Sequence, residues 1–190
     1  MTEGALVDTR VGPLVDAVAA RTSAPGAGAV TGLAATLSAA LAEMVARFSD
    51  DAVAAQACKR LRQRAAPLAD EDGAAYGRYL DAVRMPRDAE GRSERVTETL
   101  SAAADVPMQM VEAAAEVAAH AAGLARDGNP RLRGDALAAA LVAAAAARSA
   151  AELVAINLDG VDAFGHDPRP ARARALARQA QVAADSVATT

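Results

Sequence analysis

The sequence contains few aromatic residues, one cysteine and one lysine, and each shortage excludes a class of protein. Among its 190 residues are two phenylalanines, two tyrosines and no tryptophan. Cys58 stands alone, so one chain forms neither a disulfide framework nor a cysteine-based metal site; this usage suits a reducing compartment, and we expect a cytoplasmic protein. Lys59 is the only lysine and the net charge is −4. A nucleic-acid-binding protein usually presents a basic face, so we expect no nucleic-acid partner.

Signals for export, membrane insertion and metal binding are also missing. The N-terminus lacks a basic segment followed by an apolar one, so we expect no signal peptide. The longest apolar run, residues 136–147, is short and rich in alanine, and we expect no membrane partner. His120 and His166 lack ligand spacing and a carboxylate-rich context, which predicts no metal site. The sequence also lacks the glycine motifs that bind phosphates or dinucleotides.

Alanine is the commonest residue, and its abundance predicts an all-α protein. It makes up about three residues in ten, it has the most favourable helix propensity, and no run shows the alternation of a β-strand. We predict a single-domain helical bundle over residues 1–190. Because alanine buries little apolar area, we expect a thin core and a homodimer that covers the remaining apolar faces. The predicted helices are Val11–Arg21, Gly28–Phe48, Asp50–Val83, Arg92–Arg126, Gly134–Leu158 and Pro170–Val187.

Two prolines lie within otherwise helical patterns. Pro67 falls inside the predicted helix 50–83, and Pro107 falls inside the predicted helix 92–126. Proline lacks an N–H group and clashes with the carbonyl one turn earlier, so each proline is expected to kink its helix or to end a first turn.

A turn of proline and glycine leads into the second predicted helix. The segment Pro25-Gly26-Ala27-Gly28-Ala29-Val30 precedes a long run with helical spacing, which predicts a turn that opens a buried helix. Gly28 and Gly32 begin a series of small residues on this helix. Small residues allow another backbone, or a flat ligand, to approach closely. Helix packing and ligand binding both fit this pattern.

One face of the third predicted helix carries a carboxylate beside the only two tyrosines. Asp72, Tyr76 and Tyr79 follow the i, i+4, i+7 spacing of one helix face, whereas Asp70 is expected to face elsewhere. A carboxylate against an aromatic surface is partly desolvated, which raises its pKa toward the range that suits general acid–base catalysis. The alternative is that the tyrosines belong to the core and the acids lie on a solvated surface.

Further polar positions near the fifth and sixth predicted helices are candidates for binding or structural roles. Asp135 directly precedes the longest apolar run and is placed to cap that helix, and Asn129 lies in the turn before it. Asn157 lies in an apolar stretch near the end of the same helix and, if buried, needs either a core hydrogen bond or a ligand contact. Four arginines of the last helix region are expected to form a solvated face: Arg169, Arg172, Arg174 and Arg178.

Five segments occur in an order that resembles a known family. They are Pro25–Val30 followed by Ala40–Ala46; Asp70–Asp72 with Tyr76, Tyr79 and Met85-Pro86; Val106–Met108; Gly128-Asn129 with Asp135; and Ile156–Leu158. In their order and spacing they resemble the cyclodeaminase/cyclohydrolase family. That family comprises the C-terminal domain of formiminotransferase-cyclodeaminase and the stand-alone methenyltetrahydrofolate cyclohydrolases. The resemblance covers nearly the whole chain.

The resemblance implies a fold, a reaction and a set of site residues. It implies an all-helical homodimer that binds a tetrahydrofolate derivative as substrate in a cleft near the subunit interface, with no permanently bound cofactor. The implied reaction is hydrolysis of 5,10-methenyltetrahydrofolate, or cyclisation of 5-formiminotetrahydrofolate with loss of ammonia. Asp72 would be the general acid and base, and Asp135 is the second catalytic candidate. Arg84 and Arg87 would meet the glutamate tail of folate. The implied substrate-binding residues are Pro25, Gly26, Gly28, Tyr76, Tyr79, Arg84, Arg87, Asn129 and Asn157.

Departures from the family pattern keep two alternatives open. The acidic segment Ser49-Asp50-Asp51 replaces basic residues after Phe48, and Ala27, Gly134 and Leu153 replace a glycine, a serine and an asparagine. Carboxylates near the mouth of the cleft would repel the anionic tail of folate. One alternative is therefore a family scaffold that acts on a non-folate small molecule in a specialised biosynthetic pathway, by cyclisation, dehydration or a C–N bond step. The other is a non-catalytic helical interaction module.

Overall fold

Seven α-helices lie within residues 5–159 and 165–188, the two ranges that the computed structural model describes, and the last six of them pack together as a bundle. No β-strand occurs in those ranges, so the predicted all-α fold is confirmed there. Two short 3-10 helices, Leu6–Asp8 and Pro130–Leu132, precede α1 and α6. The α-helices are α1 Val11–Ala19, α2 Ala27–Phe48, α3 Ala52–Ala65, α4 Leu68–Arg84, α5 Arg92–Asp127, α6 Arg133–Leu158 and α7 Arg169–Ala188.

The core of the bundle is built mainly from alanine. Helices α5 and α6 pack along each other most extensively, and α2 and α7 lie against this pair. Alanines fill most of the buried positions, and Ala39, Ala113 and Ala143 are completely buried. The largest fully buried side chains are Leu68, Met110 and several valines. The core is therefore built mainly from small side chains, as the alanine content predicted.

Pro67 separates two helices, so the predicted single helix over residues 50–83 is wrong. Helix α3 ends at Ala65, and α4 begins at Leu68. Pro67 has a φ of −72° and occupies the N-cap position of α4, where its missing N–H group breaks no intrahelical hydrogen bond. Pro107, by contrast, lies inside the continuous helix α5. Because of the break at Pro67, α3 and α4 are two separate helices.

Small residues bring the first turns of α2 and α4 together, as the glycine pattern predicted. Gly28 and Gly32 are both buried. A Cβ atom on Gly32 would lie 3.0 Å from the backbone nitrogen of Ala69 in α4, so a side chain there would require the two backbones to move apart by a few tenths of an ångström. The two helices therefore cross in close contact, and their crossing forms one end of the bundle.

Helices α3 and α6 begin in different ways. Asp51 caps α3, because its carboxylate accepts a hydrogen bond from the N–H of Ala54 at 2.8 Å. Helix α6 begins at Arg133, so Asp135 lies within its first turn, and the prediction that Asp135 caps this helix is wrong. A carboxylate in the first turn still interacts favourably with the helix dipole.

A buried carboxylate ties α2 to α3. Glu43 is only 6% exposed, and it accepts hydrogen bonds from Arg47 and from Arg62, whose Nε lies 2.9 Å from its Oε2. Burial by itself would raise the pKa of Glu43, but the hydrogen bonds and charges of Arg62 and Arg47 outweigh burial and lower this pKa. The ionised form of Glu43 therefore stabilises the junction of the two helices.

Two segments are long and apolar enough to cross a membrane, by length and composition only: Ala27–Phe48 and Pro130–Leu158. About half of each apolar window is buried inside the bundle, 56% and 50% respectively. Core helices of soluble proteins pass the same test. The packing of both segments fits core helices, and the absence of a membrane partner stays a prediction.

Candidate active site

A cavity of about 710 Å³ lies where the first turns of α2 and α4 meet the end of α6. Its wall consists of residues 23–27, Ala29, the first half of α4, the last turns of α6, Leu6 and Ala103. Its volume falls within the range of about 300–1,000 Å³ that is usual for small-molecule sites. The predicted site residues that line it are Pro25, Gly26, Asp72, Tyr76 and Asn157.

Asp72 is a half-buried carboxylate in the wall of this cavity. Within the part of the chain that the structure describes, it forms no hydrogen bond and no ion pair. Burial raises the pKa of the Asp72 carboxyl above its ordinary value. This is the direction expected from the sequence. A carboxyl group with a raised pKa is suited both to accept and to donate a proton next to a bound molecule.

Gly28 makes room for the Asp72 side chain. It is buried in the first turn of α2 and lies behind the cavity wall rather than in it. A Cβ atom at Gly28 would overlap the carboxylate carbon and both carboxylate oxygens of Asp72. Any other residue at this position would displace the carboxylate. Gly28, which the resemblance implied as a substrate-binding residue, therefore acts here by positioning Asp72.

Asp70 lines the same cavity, so the expectation that it faces elsewhere is wrong. Positions 70 and 72 differ by about 200° in direction on a helix, but the cavity extends far enough around α4 to reach both. The two carboxylate oxygens of Asp70 accept hydrogen bonds from the N–H of Leu6, at 3.2 and 3.1 Å. These bonds attach the segment before α1 to the wall of the cavity.

Asn157 is held in the cavity wall by the backbone of α5. Its Nδ2 donates a hydrogen bond to the carbonyl oxygen of Ala103 at 3.0 Å. The core hydrogen bond that the sequence allowed for is therefore confirmed. The Oδ1 of Asn157 forms no hydrogen bond within residues 5–159 and 165–188, so it is free to accept one from a bound molecule.

The two tyrosines of α4 contact each other, and only Tyr76 reaches the cavity. Their ring centroids lie 6.0 Å apart, with an angle of 39° between the ring planes. Tyr76 is 42% exposed and lines the cavity, whereas Tyr79 lies outside the wall. Tilted aromatic pairs of this kind contribute about 0.5–1.5 kcal/mol beyond area burial. Tyr79 therefore supports Tyr76 in the wall of the cavity.

Comparison with known families decides the classification. The family model described as formiminotransferase-cyclodeaminase matches residues 10–164, which is most of the chain. The protein belongs to this family. None of the curated proteins compared with the chain matches it.

The fold of this cyclodeaminase-family protein is also similar to a solved structure. That structure is formiminotetrahydrofolate cyclodeaminase from Thermotoga maritima, with a TM-score of 0.78 and 24% sequence identity. The similarity covers 96% of this chain and 93% of the other. At this identity the comparison shows a common fold.

In this cyclodeaminase-family chain, Asn129 lies far from the cavity. Its backbone N–H donates to Ser49 Oγ at 2.8 Å, and its Nδ2 donates to the carbonyl oxygen of Phe48 at 3.0 Å. Both partners lie at the C-terminal end of α2, which has 22 residues. That end is about 30 Å from the end at Gly28. Within one chain, Asn129 therefore joins α2 to the α5–α6 connection instead of binding a molecule beside Asp72.

Asp135 and the acidic segment at residues 49–51 lie at the same distant end of the bundle. Asp135 is in the first turn of α6, and Asn157 is in the last turn, about 33 Å away along the helix. The second catalytic candidate therefore does not meet Asp72 within one chain. The acidic segment connects α2 to α3, so it does not border the cavity, contrary to expectation.

Arg84 and Arg87 also lie outside the cavity. Arg84 is the last residue of α4, about 18 Å along the helix from Asp72, and it pairs with Asp81 at 3.4 Å on the surface. Arg87 is exposed in the turn after α4. No arginine or lysine of the described chain lines the cavity. The two arginines are therefore not placed to hold the tail of a molecule bound there by one chain.

Several residues of the cavity wall were not predicted as site residues, among them Leu6, Ala103, Leu153 and Ile156. Leu153 lies one helical turn before Asn157, on the same side of α6, and the sequence analysis noted it only as a departure from the family pattern. Ile156 directly precedes Asn157 and is 66% exposed. Ala103 had no distinguishing signal, since it is one of many alanines on a long helix.

Proposed function

We propose that the protein is a folate-dependent one-carbon enzyme that uses Asp72 as its general acid and base. Its reaction is hydrolysis of 5,10-methenyltetrahydrofolate, or cyclisation of 5-formiminotetrahydrofolate with loss of ammonia. The observation that carries this proposal is the half-buried Asp72, without a partner among the described residues, in a cavity of about 710 Å³. Membership of the formiminotransferase-cyclodeaminase family supports the choice of substrate.

In the proposed hydrolysis, a water molecule adds to the amidinium carbon of the substrate. The Asp72 carboxylate accepts one proton of this water as the C–O bond forms. The C–N bond of the adduct then breaks, the protonated Asp72 donates its proton to the departing nitrogen, and the hydroxyl proton leaves as the formyl C=O forms. A carboxyl, water and substrate suffice for these steps, so we include no resident cofactor in the proposal.

In the proposed deamination, the same carboxyl acts on a different leaving group. N10 of 5-formiminotetrahydrofolate attacks the carbon of the protonated formimino group and passes its own proton to the Asp72 carboxylate. The protonated Asp72 then donates this proton to the departing NH2 group, which leaves as ammonia as 5,10-methenyltetrahydrofolate forms. Both substrates carry their positive charge on a one-carbon amidine group. The cavity wall contributes the acidic residues Asp70 and Asp72 and, in the described chain, no arginine or lysine. This charge balance favours a cationic group at the centre of the cavity.

Replacement of Asp72 by asparagine tests the proposal. Asp72→Asn retains the size of the side chain but cannot carry the proton, so we expect kcat to fall about 10²- to 10⁴-fold. The control Asp88→Asn removes an exposed carboxylate outside the cavity and is expected to retain activity. Turnover of both folate substrates is measured for each protein. A wild-type kcat for Asp72→Asn would refute its role, and a wild-type protein that converts neither substrate would refute the folate reaction.

Leu153 favours a second candidate function. This apolar residue lines the cavity at a position where the family resemblance predicts asparagine. An apolar wall suits a smaller, less polar molecule, for which Asp72 would catalyse a cyclisation, dehydration or C–N bond step. Calorimetry with tetrahydrofolate separates the two functions. Binding to the wild type supports the folate reaction, whereas no binding to the wild type or to Leu153→Asn supports the second function.

We further propose that a second copy of the chain covers an apolar row on α2. Val30, Leu37 and Met44 are spaced seven residues apart, and Leu41 and Phe48 occupy the positions between and after them. This is the heptad spacing of helices that pack in pairs. Leu37 is 68% exposed and Phe48 is 65% exposed, and no helix of the described chain covers them. A homodimer formed through α2 would bury the whole row.

A further inference from the structure

Three arginines line a groove between α6 and α7, away from the Asp72 cavity. Arg148 of α6 and Arg174 and Arg178 of α7 border a space of about 550 Å³. The two helices pack along each other. Arg174 and Arg178 are four residues apart, so they lie on one face of α7. All three arginines therefore border one groove.

Other arginines of α7 are used to hold the fold together. Arg169 pairs with Asp167 and with Asp105, both at 2.7 Å, and Arg172 pairs with Glu112 at 2.7 Å. The side chain of Arg169 is only 20% exposed, so the expectation that this residue belongs to a solvated face is wrong. The three arginines of the groove form no ion pair with any residue of the described chain. Their positive charges are therefore not neutralised by the fold.

The groove has the charge and shape of a site for several negative groups. Glu152 is the only acidic residue in its described lining, so the groove is positive in a protein with a net charge of −4. Side chains four residues apart on a helix lie about 6 Å from each other. That spacing matches two anionic groups joined by a short carbon chain. Small apolar residues form the floor beneath such a chain: Ala145, Ala151 and Ala177.

We propose that this groove is a binding site for an oligocarboxylate, held by Arg148, Arg174 and Arg178. A guanidinium group binds a carboxylate through two parallel N–H···O bonds, which fixes both position and orientation. A single phosphate would engage fewer of the arginines and would fill little of a 550 Å³ space. A ligand with two or three carboxylates occupies the groove along its length.

Two sources of the carboxylates are compatible with the position of the groove. Glu152 lines the groove, whereas its neighbour Leu153 and Ile156 of the next turn line the Asp72 cavity. The acidic end of a molecule bound in that cavity would therefore reach the groove along α6; this source rests on the proposed function. The other source is a separate small di- or tricarboxylate, which does not depend on the proposed function.

Calorimetry with citrate, a triglutamate peptide and pyrophosphate tests the site. In Arg174→Gln/Arg178→Gln we expect the Kd for citrate and for triglutamate to rise about tenfold or more. The control Arg60→Gln/Arg126→Gln removes two exposed arginines that form no ion pair in the described chain, and we expect its Kd to equal that of the wild type. Thermal unfolding checks that both variants are folded.

Three results would overturn the proposal: no binding of citrate or triglutamate at millimolar concentration, equal weakening in the control, or tighter binding of pyrophosphate than of citrate. The source is identified by repeating the citrate titration on wild-type protein saturated with 5-formyltetrahydrofolate. Competition assigns the groove to the acidic end of the substrate, and unchanged citrate binding assigns it to a separate ligand. If citrate binding depends on the arginines but no folate binds, the groove is supported and the proposed folate function fails. The two proposals can therefore fail separately.

Discussion

Replacement of Gly28 by alanine tests whether the position of the Asp72 side chain affects activity independently of the stability of the bundle. A methyl group at this position would overlap the Asp72 carboxylate. The overlapped atoms are the end of a flexible side chain without a hydrogen bond in the described structure. Rotation of Asp72 away from the methyl group is therefore easier than movement of α2 against α4. We expect Gly28→Ala to displace the proposed catalytic group while the bundle stays folded.

Two opposing contributions determine the effect of Gly28→Ala on stability. Alanine in place of glycine stabilises a helix by about 0.5–1 kcal/mol, and the lower end applies here because Gly28 lies in the first turn of α2. A forced side-chain conformation for Asp72 costs about 0.5–1.5 kcal/mol. The free energy of unfolding is therefore expected to change by less than about 1 kcal/mol. Displacement of a catalytic group by about 1 Å lowers the rate about 100-fold, so kcat/KM is expected to fall at least that far.

Gly77 supplies the matched control. It lies inside α4, and a Cβ atom there would meet nothing within 4 Å. Gly77→Ala is therefore expected to raise the free energy of unfolding by about 0.5–1 kcal/mol and to retain activity. Urea unfolding and kcat/KM are measured for both variants. In an Asp72→Ala background, where the overlap is gone, Gly28→Ala is expected to stabilise. Wild-type activity in Gly28→Ala, together with a stability gain equal to that of Gly77→Ala, would refute the reasoning.

Three further predictions concern stability and assembly. Burial raises the pKa of Asp72, so its ionisation destabilises the folded protein as pH rises through that pKa. Asp72→Asn is therefore expected to be at least as stable as the wild type at pH 7. It is expected to have no advantage at a pH low enough to protonate Asp72 in both the folded and the unfolded protein. Glu43 has a lowered pKa, so its stabilising contribution is present above its ordinary pKa and is lost as pH falls through the pKa in the folded protein. In Arg62→Gln the free energy of unfolding, measured with urea, is expected to fall by about 1–3 kcal/mol at neutral pH and by less in acid. Leu37→Glu is expected to lower the sedimenting mass from dimer to monomer, whereas Val182→Glu, equally exposed at 68%, is expected to leave the dimer intact; a monomeric wild type would contradict the proposed pairing.

The sequence by itself determined the helical class of the fold and the reason for the close crossing of α2 and α4, although it joined α3 and α4 into one helix. Alanine-rich, strand-free composition predicted the all-α fold, because helix propensity and periodicity are local properties of the chain. Gly28 and Gly32 predicted a close approach. In the structure the Asp72 carboxylate lies next to Gly28, and the Ala69 backbone lies next to Gly32. The choice of Asp72 over the other acids also came from local spacing, although its catalytic role remains a proposal.

The tertiary structure decided which candidates share a site. Asn129 and Asp135 resembled site residues by their order in the chain, but one lies where α2 ends and the other where α6 begins. A helix of more than twenty residues carries its two ends about 30 Å apart, and no local pattern states which end packs against α4. Asp70 lines the cavity beside Leu6, to which it is hydrogen-bonded across 64 positions in the chain. Contacts of this range depend on how the helices pack, so they become visible only when the bundle is assembled.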